Sequence, residues 1–176
     1  MEIIHISGTQ CSGKSFVINQ FLKRADTAHW DILNYYIRKM CIVDGYMDWS
    51  KWDEARHGIV SDLESFFITN FKDKHCFIES GSNSTVYRYL HEKVEKKYKV
   101  HHIQLKTPTK EVLSIRAIER GLRVEQVMEF RTMFLNRYAH SSIKSYTQDE
   151  AITYIASLIG GSNVLEQEAS EKHQDS

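Results

Sequence analysis

The stretch Ile3-Ile4-His5-Ile6-Ser7-Gly8-Thr9-Gln10-Cys11-Ser12-Gly13-Lys14-Ser15 passes from an apolar run into a glycine-rich turn and then to a lysine. Ile3, Ile4 and Ile6 stop at Ser7-Gly8, the pattern of a short strand buried in a parallel sheet. After the turn, Val17, Ile18, Phe21 and Leu22 recur at helical spacing, which predicts a helix from residue 14 to about residue 24. Residues 8–15 satisfy the pattern G-x-x-x-x-G-K-[ST]. Its four fixed positions would be met by accident in roughly one chain in a hundred of this length. Here the match also follows a strand and opens a helix, as its mechanism requires.

That mechanism is the binding of a polyphosphate, and the expected ligand is ATP with Mg²⁺. Backbone N–H groups from Gln10 to Ser15 can converge on phosphate oxygens, helped by the positive end of the helix dipole. Gly8 and Gly13 permit the tight path and close backbone approach. Lys14 can reach the β- and γ-phosphates, and the Ser15 hydroxyl can ligate Mg²⁺. The expected nucleotide contacts are therefore Gly8, Thr9, Gln10, Cys11, Ser12, Gly13, Lys14, Ser15 and Phe16. Cys11 is read as a small space-filler rather than a nucleophile, although a helix N-terminus lowers a thiol pKa.

Outward from the loop, strands and helices alternate. A short second strand is expected around Asp31-Ile32-Leu33, and an amphipathic helix over residues 53–72. A third strand is expected at His75-Cys76-Phe77-Ile78-Glu79, and the turn Ser80-Gly81-Ser82-Asn83-Ser84 leads to a helix marked by Val86, Leu90 and Val94. Val100 to Leu105 reads as a fourth strand, followed by helices broken at Gly121 and resuming near Val124. A short fifth strand is expected at Ile143 to Tyr146, and Thr147-Gln148-Asp149-Glu150 is a capping box opening a helix that stops at Gly160-Gly161. The sum is one α/β domain over residues 1–161, an open parallel five-stranded sheet wrapped by helices, with a polar tail at 162–176 expected to be disordered.

Composition narrows the function. The chain has 176 residues, and its 23 basic and 23 acidic residues cancel. That argues against a dedicated nucleic-acid-binding domain, which carries a basic excess. No apolar run approaches the roughly 20 residues of a membrane span, and Met1 to Ile6 shows no basic leader, so no signal peptide is expected. The three cysteines, Cys11, Cys41 and Cys76, lack metal-ligand spacing and read as reduced thiols of a cytoplasmic protein. His101 and His102 must point to opposite faces of their strand, so they form no metal site, and His5 reads as a packed strand residue.

Several side chains are candidates for the chemistry beside the loop. Glu79 ends the third strand, and parallel sheets bind ligands at their carboxyl ends; it could hold magnesium-bound water, orient an acceptor or cap the next turn. Arg116 and Arg120, four residues apart on one helix face, could neutralise charge on a transferred phosphoryl group or form a solvated basic face. Tyr35, Tyr36, Tyr46, Trp49 and Trp52 crowd a stretch from Trp30 to Trp52 that shows little clear secondary structure. They could stack on a base or sugar, or bury against the sheet.

The runs Ile78-Glu79-Ser80-Gly81-Ser82-Asn83, Lys96 to Val100 and Val112 to Gly121, with the helix from Met128 to Tyr138, resemble the kinase domain of polynucleotide 5′-hydroxyl kinases. More broadly they are similar to P-loop kinases that include nucleoside monophosphate kinases and zeta-toxin-like enzymes. The resemblance covers most of residues 1–140, and the phosphate loop is its specific element. It implies a short arginine lid in which Arg120 touches the transferring phosphate and Glu79 helps build the acceptor site; Arg116, on the same helix face, is expected as a further nucleotide contact. The family carries an Asn-x-Asp-x-x-Arg-like segment after the second strand, with the aspartate as general base. Here Asp31-Ile32-Leu33-Asn34-Tyr35-Tyr36-Ile37-Arg38 has tyrosine at that place, while Arg38 can match. The base could then be Asp31, or Asp44 or Asp48, with Arg38, Glu79 and Trp49 as acceptor contacts.

The expected activity is ATP-dependent transfer of the γ-phosphate to a hydroxyl of a nucleotide or nucleic acid, a polynucleotide or a hydroxymethylpyrimidine in DNA among them. A small-metabolite kinase of the gluconate or shikimate type is the second reading, favoured by the zero net charge. An NTP-hydrolysing switch or binding module is the third, and the arginine lid speaks against it because a lid excludes water. The sequence leaves the oligomeric state open.

Overall fold

A computed structural model describes residues 1–40, 49–81, 84–138 and 143–160, with the side chains of residues 37, 38, 40, 49, 52 and 138 left out. Five strands, β1 (Ile3–Ser7), β2 (Thr27–Asp31), β3 (His75–Ser80), β4 (Val100–Leu105) and β5 (Ser145–Tyr146), form a sheet of order β2-β3-β1-β4-β5. Every pairing is parallel. β1 is central and buried along its whole length, which is why its sequence is nearly unbroken isoleucine.

Helices cover both faces. Ile3, Trp30, Ile78, Val86 and Leu90 pack on one side with Ile59 and Leu63 of α3 (Trp52–Asn70). Ile4, Ile6, Phe77 and Ile103 pack on the other with Val17, Ile18 of α1 (Lys14–Asn19) and Phe21 just beyond it, and with Ala151 and Ile155 of α7 (Gln148–Leu158). The remaining helices are α2 (Ile32–Met40), α4 (Ser84–Tyr89), α5 (Lys110–Glu119) and α6 (Val124–Tyr138), with α4 continuing as a π-turn over Leu90–Val94. Chain order runs β1, β2, β3 on one side of the sheet and then crosses to β4. The crevice at the carboxyl ends of β1 and its two neighbours is therefore where such a sheet binds ligands.

Three boundaries differ from the sequence reading. The helix after the loop ends at Asn19, because short-range closures from Phe21 N–H to Ile18 and from Arg24 N–H to Phe21 tighten the chain; Phe21 stays in the core without being helical. β2 ends at Asp31 rather than beginning there. The stretch after it is a helix: Asp31 Oδ1 accepts from the Leu33 N–H at 2.8 Å, which starts α2. Ile32, Tyr35 and Tyr36, spaced as one helix face, are buried against α3. These two tyrosines are core residues and not rings of an open loop. The capping box of Thr147 and Glu150, and the left-handed glycines 121 and 160 at helix ends, are as the sequence predicts. Tyr46, Asp44, Asp48, Ser82, Asn83 and the tail at 162–176 lie outside the described residues, as do the Trp49 and Arg38 side chains; the Trp49 backbone forms a 3₁₀ turn with Ser50 and Lys51.

The paired histidines part as expected. His101 Nε2 meets Glu2 at 2.9 Å, while His102 Nε2 meets Glu95 Oε1 at 2.6 Å on the other face. His5 is fully buried between Ser80 Oγ, 2.7 Å from its Nε2, and His102 Nδ1, 2.9 Å from its Nδ1. Cys11 and Cys76 are free and buried, and burial pushes the Cys76 thiol up to about 12, so it is inert. Among the described residues no helix is long and apolar enough to cross a membrane.

Candidate active site

The loop after β1 has two residues in the left-handed region, Cys11 at φ 61° and Gly13 at φ 95°. Gly13 needs no side chain there, whereas Cys11 adopts a conformation that costs an ordinary residue roughly 1–2 kcal/mol. The Cys11 side chain is buried beneath the lid against Leu113 and Ala117 of α5 and Val127 of α6, so packing holds the strained residue in place. That supports its reading as a space-filler. A Cβ on Gly8 would stand 2.6 Å from Ser12 Oγ, so the first glycine lets the loop close on itself.

Lys14 Nζ folds back to donate to Thr9 O at 3.0 Å and Gly8 O at 3.4 Å. Burial lowers its pKa, an effect opposed by Glu79, Asp31 and Cys11 and reinforced by Arg120. Arg120 caps α5 and is exposed, and its charge reaches Lys14. Arg116, one turn earlier, donates from Nη1 to the Cys11 carbonyl at 3.0 Å. α5 thus lies against the phosphate loop through Arg116, with Arg120 one turn further on at the helix end.

Glu79 and Asp31 are partners in register on β3 and β2, so their carboxylates leave the sheet edge side by side. Glu79 is 5% exposed, and its Oε1 accepts from Ser15 Oγ at 2.9 Å. His29 Nε2 lies 3.2 Å from Glu79 Oε2. Burial pushes the Glu79 carboxyl up, but His29, Lys14 and Ser15 together outweigh it and hold the group below its ordinary value. Asp31 is pushed up by its own burial and by Glu79, against weaker opposition from Leu33 N–H, His29 and Lys14. The two adjacent carboxylates are thus shifted in opposite directions, Glu79 down and Asp31 up.

The residues fit a nucleotide with Mg²⁺. Thr9 Oγ1, Gln10 Oε1 and Ser12 Oγ are buried without a partner inside the loop, where a polyphosphate and its shell would supply one. Ser15 and Glu79 offer hard oxygen donors at one point, and Mg²⁺ takes one or two such protein ligands beside phosphate oxygens and water. No larger cluster of His, Cys, Asp and Glu suited to a metal occurs among the described residues. The concavities between α2 and α3, and between α3 and residues 89–98, are lined by none of these groups, so chemistry rather than cavity size locates the site.

Of the expected residues, the structure gathers Gly8 to Ser15, Glu79, Asp31, Arg116 and Arg120; Phe16 points outward and is half exposed. The sequence reading missed His29 and Gln148. His29 was legible as the residue two before Asp31 on a strand, hence on the same face. Gln148 Nε2 donates to the Ser12 carbonyl at 3.0 Å across 136 positions, which no local pattern signals.

No protein-family profile matches the sequence, and no curated protein does. Solved structures do. The tunicamycin resistance protein of Deinococcus radiodurans is 18% identical, with TM-score 0.58 over 91% of this chain and 96% of its own. A sugar kinase from a Janibacter species is 12% identical, with TM-score 0.59 over 92% and 96%. A gluconokinase from Sinorhizobium meliloti is 14% identical, with TM-score 0.54 over 99% and 98%. The fold is that of the P-loop kinases. The likeness spans nearly the whole of each chain.

Proposed function

We propose that the chain is an ATP-dependent phosphotransferase acting on a hydroxyl. The convergence of Lys14 and Ser15 with two in-register carboxylates, Glu79 and Asp31, carries this reading. The loop amides and Lys14 bind the polyphosphate, and the lid brings Arg120 over the γ-phosphate. Ser15 and Glu79 would hold Mg²⁺, which would supply positive charge to offset that of the polyphosphate. Asp31 orients the acceptor hydroxyl and takes its proton as the hydroxyl oxygen bonds to the γ-phosphorus. The bond from that phosphorus to the β–γ bridging oxygen breaks, and ADP leaves with the electron pair. Glu79 stays ionised throughout, as its lowered pKa supports.

For the acceptor we infer a small hydroxylated metabolite. The burial of Tyr35 and Tyr36 removes two of the rings that favoured base stacking, the net charge is zero, and the similar folds include a sugar kinase and a gluconokinase. Nucleotide or nucleic-acid acceptors keep the support of Tyr46, Trp49 and Trp52, whose side chains lie outside the described residues. The test is transfer of labelled γ-phosphate from ATP to pooled acceptors: sugars and sugar acids, nucleoside monophosphates, 5′-hydroxyl oligonucleotides, and duplex DNA with and without hydroxymethylpyrimidines. Label on the first class supports the reading, and label on nucleic acid overturns the acceptor while keeping the kinase. Released phosphate alone, unchanged by any acceptor, overturns both in favour of an NTPase.

A further inference from the structure

Both left-handed residues of the phosphate loop have a neighbour's side chain on the carbonyl at or beside them. Arg116 of α5 holds the Cys11 carbonyl at 3.0 Å, and Gln148 of α7 holds the Ser12 carbonyl at 3.0 Å. The Gln148 amide also reaches Gly13 with its Nε2 end: a Cβ there would stand 2.0 Å from Nε2 and 2.8 Å from Cδ. The second glycine of the loop is thus required twice, for its φ of 95° and for the seat it gives this amide.

On the phosphotransferase reading above, we propose that Gln148 is a positioning residue for the nucleotide polyphosphate, acting through the Ser12–Gly13 peptide. A trans peptide points its carbonyl and its N–H in opposite directions. A carbonyl fixed from the α7 side therefore aims the Gly13 N–H away from Gln148. Backbone strain persists only where the surroundings over-determine it, and the two braces, from separate elements, supply that constraint. Gln148 can hold its place because its own backbone is set independently. It is the first residue of α7, whose start is fixed by Thr147 Oγ1 accepting from Glu150 N–H at 3.2 Å and by Glu150 accepting from Thr147 N–H at 2.7 Å. The helix is anchored beneath by Ala151 and Ile155, both fully buried. Removing the side-chain amide leaves the cap and these anchors untouched.

The test is calorimetric binding of MgADP to the wild type, Gln148→Ala and Gln148→Glu, beside thermal melting of each protein without nucleotide. Gln148→Ala is expected to bind MgADP roughly tenfold more weakly, the worth of one well-placed hydrogen bond. Gln148→Glu keeps the shape, loses the donor and adds a charge near the phosphates, so it should lose more. Both should melt within about 2 °C of the wild type, since a structural loss of 1 kcal/mol or more would exceed that. In steady state the loss should fall on KM for ATP and leave kcat within about twofold. Unchanged MgADP affinity in Gln148→Ala, or a loss of affinity accompanied by a fall in melting temperature in both variants, overturns the proposal. A wild type that binds neither MgADP nor MgATP overturns the phosphotransferase reading and this role together; normal binding by wild type and variants alike overturns only the role of Gln148.

Discussion

Whether Tyr35 is a core residue or a ring free to stack on an acceptor is decided by one contact between α2 and α3. Its hydroxyl donates to the Ala55 carbonyl at 3.2 Å over a bare helical position, Gly58, and the residue is 2% exposed. A Cβ at Gly58 would stand 2.1 Å from that oxygen but 3.4 Å from ring carbon Cζ. Trp30 and Tyr36, with ring centroids 6.2 and 6.0 Å away, leave the ring little room to retreat. Gly58→Ala in the wild type should therefore lose the hydrogen bond, about 1 kcal/mol, and suffer overpacking of about 1–3 kcal/mol. Against this stands about 1 kcal/mol of helix propensity gained. The net is a destabilisation of about 1–3 kcal/mol, from the same sums. In a Tyr35→Phe background the clashing atom is gone and Cβ meets only ring carbon at an ordinary distance. The same substitution should then be neutral or stabilising by up to about 1 kcal/mol. Urea unfolding of the four proteins measures the coupling, expected at about 1–4 kcal/mol. A cost of Gly58→Ala that is equal in both backgrounds to within about 0.5 kcal/mol would refute the contact, and would return Tyr35 to the candidates for acceptor binding.

Lys14→Ala should abolish phosphoryl transfer without lowering the melting temperature, because the lysine's depressed pKa marks an ammonium that the fold tolerates at a cost; near-normal transfer would sink the whole reading. Arg120→Ala should reduce kcat by about 10³ if it stabilises the transferring phosphoryl group, and a change confined to KM would assign it to ground-state binding instead. Glu79→Gln keeps the volume but removes the charge facing Ser15, His29 and Lys14, so the Mg²⁺ concentration for half-maximal activity should rise about tenfold or more; an unchanged Mg²⁺ dependence would remove Glu79 from the metal site. His5 is held well below its ordinary 6.5, first by burial and then by His102, so it is neutral in the fold and takes a proton more readily when unfolded. Its stabilising effect is complete above that ordinary value and is lost as pH falls below it towards the depressed folded value. Urea midpoints of His5→Gln should consequently change less than those of the wild type on acidification from about pH 7.5 to about pH 5, and parallel curves would contradict the assignment.

The phosphate-loop pattern was legible because its glycines, lysine and serine act through backbone conformation and short reach, so eight consecutive residues carry the signal even though distant side chains brace the loop. β1 was legible for a related reason, since a strand buried on both faces must be apolar throughout. Glu79 could be anticipated from its strand-end position, and the Thr147–Glu150 cap from its spacing.

Tertiary structure decided what depends on neighbours far apart in sequence. Asp31, already one of three candidate bases in the sequence, is set beside Glu79 by the register in which β2 pairs with β3, and strand register is not encoded in either strand alone. Residues 32–40 form a helix because Tyr35 and Tyr36 bury against α3, a partner that a local window does not contain. Gln148 looked like one unremarkable residue inside a capping box until the sheet brought α7 to the loop, 136 positions away. Local sequence carries the phosphate-loop pattern; which distant groups stand beside it, Asp31, His29, Arg116 and Gln148, was set by the packing of separate elements at one end of the sheet.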